Sequence, residues 1–122
     1  MAISFKTLRI LQLAVFSTGV MLAGAVSASA QDAAVVKKGE QVYAAQKCAT
    51  CHSIAGKGKK TGGALDGVGT KLSADELKQW ILDPKGMAAK AKSTKKPPMA
   101  AKYGGLPPAD VDALVAYMQS LK

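Results

Sequence analysis

The chain has 122 residues and a formal net charge of +9, with 17 lysines and arginines against eight acidic residues. This length allows one domain and excludes an enzyme that needs separate cofactor and substrate domains. The two cysteines, at positions 48 and 51, are too close together to staple a disulfide miniprotein, and a single histidine excludes most zinc-enzyme and catalytic-triad schemes.

The first 30 residues predict a secretory signal peptide, which is removed and takes no part in the fold. Lys6 and Arg9 form a basic start, and a mainly apolar run follows at 10–26. The residues Ala28-Ser29-Ala30 then match the small-x-small pattern that a signal peptidase cleaves. Cleavage after Ala30 leaves a domain at 31–122 and places it in the periplasm. A retained membrane anchor is the alternative, since the 17 residues of the apolar run nearly span a bilayer.

The remaining 92 residues have an unusually small supply of apolar volume. They hold 15 lysines, no arginine and all eight acids, which gives a charge of +7, and they contain no phenylalanine. A domain of this size buries only about 60–65% of its unfolded surface. We therefore expect a large buried cofactor to complete the core. No stretch of 31–122 is long enough to cross a membrane.

The first predicted helix starts near Asp32, a plausible N-cap. Val35, Gly39, Val42, Tyr43 and Gln46 fall at helical spacing after it, with lysines between them. A glycine on such a stripe weakens a helix by about 1 kcal/mol relative to alanine. Gly39 is therefore expected to mark a close crossing with another helix.

The second predicted helix has clear start and stop signals. Ser73 and Glu76 form an S-x-x-E capping box, and Pro84 ends the helix after Asp83. Leu72 and Leu77 can form the hydrophobic staple at its start. The residues of its predicted apolar face are Leu77, Trp80 and Ile81.

The third predicted helix begins at Pro107-Pro108, with acidic residues in its first turn. Its apolar stripe is Val111, Leu114, Val115, Met118 and Leu121. No segment alternates long enough to predict a strand, so the fold is expected to be all-α. Two loops of about twenty residues, 53–71 and 84–106, are unusually long for so small a domain, and we expect them to wrap a ligand. A short helix is an option within the second loop, at 85–91.

The pentapeptide Cys48-Ala49-Thr50-Cys51-His52 is the attachment signature for c-type haem. Two intervening residues place both sulfurs within reach of the vinyl groups on one haem edge, and the histidine then supplies a nitrogen to the iron. A thioredoxin-type site would need a βαβ context, and a structural zinc site would need four ligands where only these three Cys and His residues exist. A simple disulfide would leave His52 and the small core unexplained.

With these features in this order, residues 35–121 resemble the class I cytochromes c, which are small one-electron carriers with one covalent haem. The resemblance includes the pentapeptide, Gly39 and Tyr43 before it, Trp80, and the last helix with Tyr117. Other matching segments are Thr61-Gly62, Leu65-Asp66-Gly67-Val68-Gly69 and Pro97-Pro98-Met99. It implies an all-α cytochrome c fold, with Gly39 at the crossing of the first and last helices.

The resemblance also implies haem c on Cys48 and Cys51, with His52 and a methionine as axial iron ligands. Met99 is the preferred methionine, because it follows two prolines in an irregular segment ahead of the last helix. Met118 lies on an apolar stripe, where a thioether is ordinarily core filler. Met87 remains an alternative, as does an iron that is five-coordinate or bound by Lys102.

One departure from the family concerns the hydrogen bond that orients the histidine. Many relatives have a proline after the Thr-Gly that corresponds to Thr61-Gly62, and its carbonyl accepts from the histidine Nδ1–H. Gly63 stands there in this chain. Its carbonyl can make the same bond from a more flexible backbone.

Histidine and methionine ligation predicts a one-electron carrier and not an enzyme, because no iron position stays open for a substrate. The alternatives are a haem c subunit of a larger oxidoreductase complex, or a peroxidase or gas-binding protein if Met99 is labile. We expect a monomer with no small-molecule substrate.

The lysines predict the kind of partner. Residues 47–60 hold four lysines and residues 85–102 hold six, with no acid in either segment. Such a surface would steer an acidic redox protein, for example a membrane oxidase or dehydrogenase, to the haem edge. It could also be only a solvated face. A nucleic-acid partner is not expected, since an exported chain without arginine lacks the usual means of binding one.

Overall fold

The computed structural model describes residues 27–122. The basic start and the apolar run of the predicted signal peptide lie outside that range, and cleavage after Ala30 stays a prediction. None of the helices within 27–122 is long and apolar enough to span a bilayer.

The described part of the chain is mostly helical. Its α-helices are α1 (Ser27–Ala45), α2 (Val68–Lys71), α3 (Ala74–Leu82), α4 (Pro84–Lys90) and α5 (Pro108–Ser120). Two 3₁₀ turns lie at Cys48–Thr50 and Ala101–Gly105. The all-α prediction is confirmed, and the short helix expected at 85–91 is present as α4.

The expectation of no strands is wrong in detail. Three very short strands form within the first long loop, namely β1 (His52–Ile54), β2 (Lys57–Gly58) and β3 (Gly63–Ala64). β1 is central, antiparallel to β2 and parallel to β3. Strands of two or three residues have no room for an alternating pattern, so their sequence does not reveal them.

The start of the first helix also differs from the prediction. α1 begins at Ser27, so Asp32 lies inside the helix and is not its N-cap. Alanine favours helix most strongly, and the alanines at 28 and 30 allow α1 to extend upstream. Val35, expected on the buried stripe, is 37% exposed because it lies one turn before the crossing at Gly39.

The core lies where α1, α3 and α5 meet. A side chain on Gly39 would collide with the carbonyl oxygen of Ala113, which confirms the predicted close crossing of α1 and α5. Tyr43 and Tyr117 pack edge-to-face beside it, with ring centroids 5.7 Å apart. The members of the buried apolar cluster are Val42, Tyr43, Val68, Leu77, Ile81, Val111, Leu114, Val115 and Met118.

α3 and α5 begin as predicted. Ser73 caps α3 by accepting from the Glu76 N–H, while the Glu76 carboxylate accepts from the Ser73 N–H at 2.8 Å. Asp83 ends α3 and then caps α4, since its carboxylate accepts from the Gly86 N–H at 2.9 Å. Proline occupies the first turn of both α4 and α5.

Candidate functional site

The end of α1 delivers the pentapeptide to the edge of the core. Lys47 adopts a left-handed conformation, with φ of 56°, and turns the chain into the 3₁₀ turn that carries Cys48. The Cys51 N–H then donates to the Cys48 carbonyl at 3.1 Å, so both cysteines lie on one tight turn. Both thiols are free and half-buried.

β1 and β3 fix the ring of His52. His52 pairs with Gly63 across the two parallel strands, and its Nδ1 lies 3.1 Å from the Gly63 carbonyl oxygen. A carbonyl can only accept, so this contact requires the proton on Nδ1, and in the neutral imidazole the lone pair is then on Nε2. The hydrogen bond that the sequence suggested at Gly63 is therefore present, and it prepares Nε2 to bind a metal.

A glycine packs against the same ring. A side chain on Gly62 would begin 2.9 Å from His52 Cε1 and 3.2 Å from Nδ1. The Gly62 N–H donates to the Cys51 carbonyl at 2.7 Å, which holds this glycine against the motif. The position therefore tolerates only the smallest residue while the ring stays where it is.

A cavity of about 450 Å³ opens beside the motif. Cys48, Cys51 and His52 line it, and so does Met99 from the segment before α5. Apolar side chains of α3 and α5 supply other parts of the wall, namely Leu77, Trp80, Ile81, Leu114 and Met118. The cavity explains the small core, because the buried cluster borders a space that a large apolar group would fill.

The three methionines differ in their placement. Met99 is half-buried in the cavity wall, outside any helix. Met118 also borders the cavity, but it belongs to the buried cluster on α5, as expected of core filler. Met87 is not among the residues of the wall. Lys102 is not among them either, and its ammonium lies over the Tyr103 ring, 5.1 Å from the centroid.

Burial shapes the electrostatics of the wall. It raises the pKa of the Cys48 thiol, an effect that the nearby Lys102 ammonium opposes. It also raises the pKa of Tyr43 to about 12 and that of Tyr103 above its usual value, with Cys48 adding to both shifts. The Cys48 thiol and the phenols of Tyr43 and Tyr103 are therefore held in their neutral forms.

The segments that carry the motif and Met99 are rich in lysine. The ten lysines in 47–60 and 85–102 are all exposed. Within 27–122 the ion pairs are Lys38 with Asp110 and Lys78 with Asp112, and none of the ten takes part in one. The lysines near the motif and Met99 therefore keep their charge uncompensated by protein carboxylates.

Sequence reasoning missed two residues of the wall. Lys95 and Tyr103 both line the cavity. The sequence identifies Lys95 only as one of the lysines expected to steer an acidic partner, and it assigns Tyr103 no role. No local motif marks either one, because each reaches the cavity through the path of the loop between α4 and α5.

The residues present fit haem c. Two thiols lie on one turn, an imidazole is held with Nε2 free, a thioether lies across the same apolar cavity, and hydroxyl groups lie among them. Zinc fits less well, since no group of three or more His, Cys, Asp or Glu side chains in the described range could hold a metal ion.

Comparison with known proteins decides the family. The profile of the family described as Cytochrome c matches residues 36–122. The chain belongs to the cytochrome c family. Its cofactor is accordingly haem c, and the spacing of Cys48, Cys51 and His52 is that of the family's haem-binding motif.

This cytochrome c domain is also similar to part of a longer curated protein. It is 28% identical over 96 residues to the cytochrome c oxidase subunit 2 of Alkalihalophilus pseudofirmus. The match covers 72% of this chain and 26% of that relative. No solved structure matches the cytochrome c domain significantly.

Proposed function

We propose that Cys48 and Cys51 hold haem c through two thioether bonds, that His52 and Met99 are its axial iron ligands, and that the protein is a one-electron carrier. The supporting observation is that these four side chains line one apolar cavity although 47 residues separate the two ligands. When bound, haem c supplies a single iron that gains and loses one electron.

The protein's own residues set the conditions for that exchange. The Gly63 carbonyl keeps the proton on His52 Nδ1 and holds the ring in one orientation. The Met99 thioether is neutral and the wall is apolar, so with haem bound both would disfavour the ferric charge and raise the reduction potential. With His52 and Met99 both bound to the iron, no position would remain open for a substrate, so the proposed role is electron transfer and not enzyme catalysis.

We place this carrier outside the cytoplasmic membrane, in the periplasm. The support for this is the basic, apolar and small-residue order of 1–30, which is typical of a secretory signal. The exposed lysines beside the cavity favour a redox protein with an acidic docking surface, such as a membrane oxidase or dehydrogenase.

Covalent attachment is the step to test first. Acid–acetone extraction of the purified protein should leave the haem with the polypeptide, and Cys48→Ala or Cys51→Ala should sharply lower the yield of holoprotein. Ala49→Ser is the matched control, since it changes a spacer residue and keeps both sulfurs. Haem that extracts cleanly, or stoichiometric zinc in its place, contradicts the proposal.

A second candidate is a haem c subunit of a larger oxidoreductase complex. The observation in its favour is the similarity to a relative that is named as an oxidase subunit. Gel filtration of the native extract separates the two candidates: a free carrier elutes near the size of one chain, and a complex subunit elutes with its partners.

A further inference from the structure

The cavity wall contains a single lysine. Among its described residues, Lys95 is the only lysine or arginine, and no carboxylate lines the space. Lys95 lies four residues before Met99, and its side chain is exposed to solvent while it borders the cavity. It therefore lies at the mouth of the cavity and not in its depth.

Two contacts fix the path of Lys95. Its backbone N–H lies 3.3 Å from the Ser93 hydroxyl oxygen, which accepts from it and closes a local turn. Its Cε lies 3.9 Å from the position that a side chain on Gly63 would take. The lysine stem thus reaches from the Met99 segment toward β3, next to the carbonyl that orients His52.

Haem has carboxylate groups that a positively charged side chain would stabilise. Haem carries two propionate groups, which are carboxylates at neutral pH, and a carboxylate at the edge of an apolar cavity is destabilised unless a donor or a cation compensates it. Arginine, which pairs best with carboxylates, is absent from 31–122. Lys95 has no carboxylate partner among the residues that the structure describes.

We propose that Lys95 pairs with a haem propionate at the mouth of the cavity and thereby raises the reduction potential of the iron. This inference rests on the proposed haem site. The ammonium compensates the carboxylate, so the negative charge of that carboxylate no longer favours the ferric state.

The test compares neighbouring lysines in the purified holoprotein. Lys95→Gln should shift the equilibrium constant for reduction toward the ferric state by about tenfold, the size of a unit-charge interaction over roughly 12 Å at an effective dielectric constant near 20. Lys96→Gln removes the same charge from an exposed residue outside the wall and should shift it by less than about threefold. Lys95→Arg should keep the native potential. Spectroelectrochemical titration measures all three.

A second readout follows the amine itself. An ion-paired ammonium resists deprotonation, so Lys95 of the holoprotein should be acetylated about tenfold more slowly than Lys96, as read by peptide mass spectrometry. Equal potential shifts in the two glutamine variants, or equal acetylation of the two lysines, overturns the pair. Covalent haem is measured on the same samples, so loss of attachment counts against the haem site, and equal shifts with haem in place count against Lys95 alone.

Discussion

At the scale of single residues, the site depends on how tightly the backbone packs around His52. Gly63 accepts the hydrogen bond from Nδ1, and Gly62 leaves the space that the ring occupies. A ligand ring held on two sides keeps its orientation when the iron changes charge. The first prediction tests this packing.

Gly62→Ala should displace the His52 ring, because the new Cβ would lie 2.9 Å from Cε1. We expect a loss of about 1–3 kcal/mol of stability, the usual cost of overpacking, together with a changed reduction potential. Urea unfolding and redox titration of the holoprotein measure both. Gly105→Ala is the control, since a side chain there meets nothing within 4 Å. If the two variants behave alike, the packing on His52 is unimportant.

The residues of the site differ in how readily the sequence reveals them. Cys48, Cys51 and His52 belong to one local signature, so their spacing alone predicts their role. Met99 needed the resemblance to a family, because only the fold brings it to the same cavity. Lys95 and Tyr103 could not be predicted, since their place in the wall depends on the path of an irregular loop.

At the scale of elements, the capping box of α3 stabilises the helix that carries Trp80 to the cavity. Hydrogen bonds from the Ser73 backbone and side chain hold the pKa of the Glu76 carboxyl below its usual value. A lowered pKa in the folded state means that this stabilisation is present at neutral pH and is lost as the pH falls through the folded pKa.

Ser73→Ala should therefore lower the free energy of unfolding by about 1 kcal/mol at pH 7. The difference from the native protein should shrink as the pH falls below the usual glutamate range, where Glu76 becomes protonated. Urea unfolding at several pH values checks this, and Ser120→Ala at the far end of α5 is a control without an N-cap. A difference that stays constant with pH would argue against the hydrogen bond from the Ser73 hydroxyl to the Glu76 carboxylate.

The crossing of α1 and α5 gives the second prediction at this scale. Gly39→Ala places a Cβ against the Ala113 carbonyl and 2.6 Å from Tyr117 Cβ, so the helices must move apart. The expected loss is about 1–3 kcal/mol of stability, measured by urea unfolding of the holoprotein. Glu40→Ala, at an exposed neighbouring position, should change stability little. A fully stable Gly39→Ala protein would contradict the close crossing.

The helices were more predictable than the rest of the fold for a physical reason. The cap at Ser73, the prolines and the spacing of apolar residues act within one element, so they appear in the sequence. β1 pairs with β3 through backbone atoms over two or three residues, and such pairing leaves no side-chain pattern. The upstream start of α1 was missed because alanines at 28 and 30 were assigned to the signal peptide.

At the scale of the whole molecule, charge is unevenly distributed. Both ion pairs of the described residues involve acids near the start of α5, whereas the lysines in 47–60 and 85–102 have no such partners. An uncompensated positive surface raises the local concentration of anions and of acidic partners, and salt screens the effect. Electron exchange through this face should therefore depend on ionic strength.

Oxidation by ferricyanide, a small anion, tests this distribution. Lys96→Glu should slow the reaction several-fold at low salt, within the range of about 10–10³ that steering can supply. Lys37→Glu changes the net charge equally and is the control. Because Lys37 belongs to α1 and is not among the residues of the cavity wall, this variant should slow the oxidation less. Stopped-flow rates at several salt concentrations decide the matter. Equal slowing by both variants would mean that only the net charge matters. Rates that do not depend on salt concentration would contradict electrostatic steering.

The central claim is that His52 and Met99 bind the same haem iron across one cavity. Its most direct test is a weak absorption band at the red end of the visible spectrum of the ferric protein. This band arises from the bond between a thioether and iron. The account predicts that the native protein shows this band, that Met99→Ala abolishes it, and that Met87→Ala, at a position outside the cavity wall, retains it. A band that survives Met99→Ala, or a native protein that lacks the band and binds carbon monoxide rapidly, would contradict the claim.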